Sequence, residues 1–125
     1  MSDGIIPEDV RNFILQYIDS ITQLEALLLL RANPGERWDT VNAAKRLYTA
    51  ERDIDAVLSR LCADELLSCS EGIYRYDPRS EEKRLVIDRL AAAYGKQLIP
   101  VTNMIHAKER RIREFADAFR FRKDR

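Results

Sequence analysis

Three side chains in this sequence are suited to imidazole, thiol or soft-metal chemistry near neutral pH: the single histidine, His106, and the two cysteines, Cys62 and Cys69. A metal site needs several such ligands at short, regular spacing, and a nucleophile needs a base within reach. His106 lies far along the chain from either cysteine and has no ligand or base companion on its own segment. No glycine-rich phosphate loop is present. Carboxylates are plentiful, but they fall on helix faces and first turns, where solubility and the helix dipole account for them. The expectation is a protein that is not an enzyme and takes no metal and no cofactor, with Cys62 and Cys69 as small apolar core residues in a reducing compartment.

Charge supplies a second kind of chemistry, that of recognition. The chain has 21 Lys and Arg against 21 Asp and Glu, a formal net charge of zero. From Lys108 to Arg125 there are eight basic residues and four acids, whereas the preceding 107 residues hold 13 basic and 17 acidic ones. A mildly acidic body therefore carries a basic tail, an asymmetry that points to a partner. The ending FRFRKDR alternates aromatic and basic residues, which suits a membrane surface, a nucleic-acid backbone or an acidic protein. The stripe Ile112, Phe115, Ala116 and Phe119 that leads into it favours packing of Phe115, Phe119 and Phe121, on the body or across a dimer.

The elements that must position these residues follow from periodicity. A length of 125 residues suits one compact domain over 1–125. Pro7 and two acids open a helix whose apolar face is Val10, Phe13, Ile14, Tyr17 and Ile18. Ser20 with Gln23 has the form of a capping box, starting a helix that ends before Pro34 and Gly35. Four consecutive leucines leave that helix little polar face, so it should be largely buried. Asp39 is the predicted N-cap of a helix ending near Tyr48, with Trp38 packing back on its first turn and Ala44 and Leu47 facing inward. Thr49 is the predicted cap of a helix over 50–64 with Ile54, Val57, Leu58 and Leu61 inward. At 100° per residue, Arg52, Ala56, Ser59 and Ala63 lie opposite that stripe, and Asp53, Asp55 and Arg60 flank it.

LLSCS and IYRYD around EG then read as a β-hairpin with Gly72 at positive φ and Pro78 closing it. Ser80 starts a further helix that should stop at Gly95. A short helix over Pro100 to Ala107 and a last one over residues 108–122 complete the chain. The run LEALLLL at 24–30 is too short to span a bilayer, which takes about 20 apolar residues. MSDGIIPEDVRN is acidic and polar, unlike a signal peptide, so a cytoplasmic protein without a membrane span is expected.

Helix, helix, short turn, helix and two-stranded wing in that order resemble a winged helix-turn-helix. The resemblance covers 20–78, including AAKRL and the leucine pattern from Leu58 to Leu67, and the fold it implies is mainly α with a two-stranded β wing. The helices outside that core, including those over 79–125, resemble the dimerising helices of MarR-type bacterial transcriptional regulators. The resemblance implies a homodimer whose 50–64 helix lies in the major groove of double-stranded DNA. Carried over position by position, Arg52, Ala56, Ser59 and Arg60 would face base edges, and Lys45, Arg46 and Arg75 would hold phosphates. Two features depart from a basic reading head: Asp53 and Asp55 share the helix, and Glu71 sits at the wing tip. Winged helices also serve as protein–protein modules, so an adaptor for a protein partner is the alternative.

Overall fold

Pro7 and the acids Glu8 and Asp9 start α1 (Glu8–Tyr17), which buries Val10, Phe13 and Ile14, with Ile18 buried just past its end. The computed structural model describes residues 6–123, with side chains from 6 to 118, and among them six helices and one two-stranded antiparallel sheet. This mainly helical arrangement is compatible with a winged-helix-like layout. In α2 (Ile21–Ala32), Ser20 Oγ accepts from Gln23 N at 3.1 Å, as the capping box requires. The reciprocal half differs: Gln23 Oε1 accepts from Asp19 N and its Nε2 donates to the Tyr17 carbonyl. One buried glutamine thus closes both the end of α1 and the start of α2. Leu24, Ala26, Leu27 and Leu30 make α2 the buried centre of the fold, as its composition predicts.

Asp39 caps α3 (Thr40–Leu47) by accepting from Asn42 N at 2.8 Å. Three residues then lead into α4 (Glu51–Ala63), which buries Ile54, Leu58 and Leu61. Thr49 does not cap α4. Ala50 is the N-cap residue, and Thr49 Oγ1 donates to the Leu47 carbonyl instead. The hairpin pairs β1 (Leu67–Ser70) with β2 (Ile73–Tyr76), placing Leu67 opposite Tyr76 and Cys69 opposite Tyr74. Glu71 and Gly72 have φ of 52° and 78°, the double positive φ of a type I′ turn. Tyr74 and Tyr76 are buried against the body. Trp38 adds a one-residue bridge to the outer edge of β2, exchanging backbone hydrogen bonds with Tyr74 at 2.9 and 2.7 Å.

Ser80 caps α5 (Glu81–Lys96), as expected. Gly95 does not stop it. Gln97 is the C-cap at φ −128°, so no left-handed residue is needed there. The two helices expected after it are one, α6 (Leu98–Lys123). Pro100 lies in its first turn, where a missing N–H costs no helical bond, and no breaker separates 107 from 108. Val101 and Ile105 anchor α6 on the core, but Ile112 is 47% and Phe115 75% exposed. The apolar stripe therefore runs on past Ile105 with Ile112 and Phe115 largely open to solvent. The side chains of Phe119 and Phe121 lie outside those described. No single described helix is long and apolar enough to cross a bilayer; α1 and α2 together have the length and composition, but are bent by 112° at their junction.

The largest correction concerns the cysteines. Cys62, in the last turn of α4, and Cys69, on β1, form a disulfide with Cα atoms 6.3 Å apart. Cys69 is exposed, so it is no core residue.

Candidate nucleic-acid interface

With Ile54, Leu58 and Leu61 inward, α4 leaves Arg52, Ala56, Ser59 and Ala63 on its exposed side. That side has low relief. Three of its residues are small, and Arg52 is the one long side chain, with no ion-pair or hydrogen-bond partner among the described residues. Ser59 Oγ lies 3.5 Å from the Tyr74 hydroxyl, so it also meets the hairpin. Asp55 accepts a long hydrogen bond from Thr40 Oγ1 at 3.4 Å, which turns it toward the start of α3.

Arg60 stands apart from the other candidates. Its guanidinium pairs with Asp64 at 3.1 Å and with Asp19 at 3.4 Å. Asp19 in turn receives Lys108 Nζ at 2.9 Å, and the same ammonium donates to the carbonyls of Ile14 and Ile18. Two carboxylates thus hold Arg60 at the C-terminal end of α4, in a chain of charges reaching α6. The pair with Asp64 is local and visible from helical spacing; the one with Asp19 is not.

Of the proposed phosphate contacts, Lys45 and Arg75 are exposed and without an ion-pair partner among the described residues. Lys45 is on α3 and Arg75 is on the outer face of β2, opposite Ser68. Arg46 lies over the Trp38 ring at 5.5 Å, a cation–π contact that fixes its stem and leaves the residue exposed. Sequence reasoning missed Tyr48. It sits in the turn between α3 and α4, 96% exposed, at φ 54°. A left-handed C-cap usually takes Gly or Asn, so an aromatic there bears a conformational cost while presenting its hydroxyl to solvent.

Acids surround this surface. Between 36 and 77 there are nine, against six basic residues, with Glu51, Asp53 and Glu71 exposed. Two tyrosines have raised pKa values, Tyr76 from burial and then Asp88, and Tyr94 from burial and then Glu25. No group of three or more His, Cys, Asp or Glu side chains among the described residues is placed to hold a metal ion. Comparison of the sequence and structure with known proteins found no matching family model, no matching curated protein and no matching solved structure.

Proposed function

We propose that the chain is a winged helix-turn-helix DNA-binding transcriptional regulator, acting as a homodimer, with the exposed side of α4 in the major groove. The observation that supports this reading is the low exposed face of Arg52, Ala56, Ser59 and Ala63, on which Arg52 has no ion-pair or hydrogen-bond partner among the described residues. A helix enters a groove closely when its outward residues are small, and one arginine near its N-terminal end can pair bidentately with guanine. Lys45, Arg46 and Arg75 lie on the two elements beside α4, where positively charged groups and the Tyr48 hydroxyl can hold the sugar–phosphate backbone. Arg60, at the C-terminal end of α4 and paired with Asp64 and Asp19, is less free than Arg52 to reach base edges.

The excess of acids around α4 favours a second reading, an adaptor whose acidic surface meets a basic protein. The two readings differ in what substitutions do to duplex binding. With labelled duplex selected from a random pool, Arg52→Ala should weaken binding by about 1–3 kcal/mol and flatten the sequence preference, while Lys45→Ala weakens all sequences alike. Asp55→Asn should tighten binding to random duplex, because a carboxylate near the phosphates is removed. Fluorescence anisotropy reads all three. If Arg52→Ala binds selected and random duplex like the parent, α4 is not in the groove.

A further inference from the structure

We propose that the Cys62–Cys69 disulfide is a thiol-exchange site, opened by low-molecular-weight thiols, that controls how firmly the hairpin is held to α4. This role is independent of DNA binding.

β1 is the edge strand of the hairpin. Its inner edge pairs with β2, and β2 is backed on its other side by the Trp38 bridge. On the face turned to α4, Cys69 and Tyr74 sit opposite one another, and each meets α4: Cys69 through Cys62, Tyr74 through Ser59 at 3.5 Å. The second contact is a long, weak hydrogen bond. The covalent bond is therefore the strongest tie between β1 and the C-terminal turns of α4. An open groove of about 490 Å³ adjoins it, lined by both cysteines, Ala63, Ser68 and Arg79 among others.

Cys69 is exposed and Cys62 only partly so, and access governs which sulfur is attacked. An incoming thiolate would bond to Cys69 Sγ as the Cys62–Cys69 bond breaks, and Cys62 would leave as a thiolate and take a proton from water. A second thiol then attacks the small-molecule sulfur of the mixed disulfide. The products are two protein thiols and one oxidised dimer of the small thiol. Inside a reducing cell such bonds are mostly redox-sensing or catalytic ones, whereas a fold that needs a permanent staple uses one in an oxidising compartment.

The test uses the full chain under native conditions with graded mixtures of reduced and oxidised glutathione, followed by alkylation and mass measurement, with hydrogen exchange read in parallel. Reduced glutathione should release both thiols without unfolding. Amides of 67–76 should then exchange about tenfold faster while those of α1 and α2 are unchanged, as expected for a local opening. The Cys62→Ser variant should accept glutathione on Cys69, and the Cys69→Ser variant should accept much less on Cys62. Release of the thiols only after global unfolding, hairpin exchange that does not respond to reduction, or thiols that stay free under oxidised glutathione would each overturn the proposal. Wild-type reduction carries the test even if a variant folds poorly.

Discussion

Lys108→Met should lower the stability of the protein by about 3 kcal/mol, seen as a lower urea midpoint with an unchanged slope. Lys108 has only 12% of its side chain exposed, and its ammonium uses three donors: the carbonyls of Ile14 and Ile18 and the carboxylate of Asp19, each at 2.9 Å. An ammonium has three donors, so none is left over. The two carbonyls belong to the last turn of α1 and the residue after it; Ile14 also accepts from Ile18 N at 3.0 Å, whereas Ile18 lies past the helix end, where intrahelical partners run out. Methionine keeps the length and the apolar stem of lysine but offers no donor, so the Ile18 carbonyl loses its partner inside the fold and the Ile14 carbonyl keeps only the Ile18 N–H at 3.0 Å. Asp19 retains Arg60 at 3.4 Å, which limits the loss. Arg31 provides the contrast. Its pair with Asp88 is partly solvated, at 33% and 48% exposure, so Arg31→Met should cost less than about 1 kcal/mol. Equal effects of the two substitutions would show that Lys108 holds nothing.

Leu61→Ala should cost about 2–5 kcal/mol, because its side chain is completely buried and the removed atoms leave a cavity. Alanine is the better helix former, so propensity pulls the other way and the whole loss is packing. Leu61 shares the inward face of α4 with Ile54 and Leu58, so the cavity opens directly beneath the helix that carries Arg52. Leu85, on α5 and 45% exposed, is the control; Leu85→Ala should change stability by less than about 1 kcal/mol. A loss below one at Leu61 in the same denaturation experiment would mean that α4 turns a different face inward.

What could be read in advance was local. The inward stripes of α1 and α4 follow from three-four spacing, and Ser20, Asp39 and Ser80 announce themselves as caps because a short polar side chain three residues before an amide can serve it. The hairpin was legible because Gly72 tolerates the positive φ that its turn demands. Proline at position 100 reads as a helix start in the sequence, but the single helix α6 begins at Leu98 and continues through Lys108, where there is neither a breaker nor a cap. Distance in sequence hid the rest. Arg60 finds Asp19 only after α1, α2 and α4 have packed, and Lys108 reaches Ile14 only when α6 crosses α1. Cys62 and Cys69 are seven residues apart, but a helix end, Glu65 at φ 65° and a strand start decide that their side chains meet. Tyr48 was missed because nothing in its neighbours signals a left-handed, solvent-facing aromatic.

The proposed role of α4 and the hairpin rests on phosphate neutralisation by a surface whose total charge is unfavourable, so salt dependence is the direct measure. The affinity of the full chain for random duplex should be followed from about 50 to 200 mM salt, because each neutralised phosphate adds about −0.9 to the slope of log K against log salt. With Lys45, Arg46 and Arg75 on phosphates, the account predicts measurable binding at the low end and a slope of about −3, reduced by about one unit in Lys45→Ala. No binding at the lowest salt, or binding whose slope is near zero, would contradict it and leave the acidic face of α4 as a protein-binding surface.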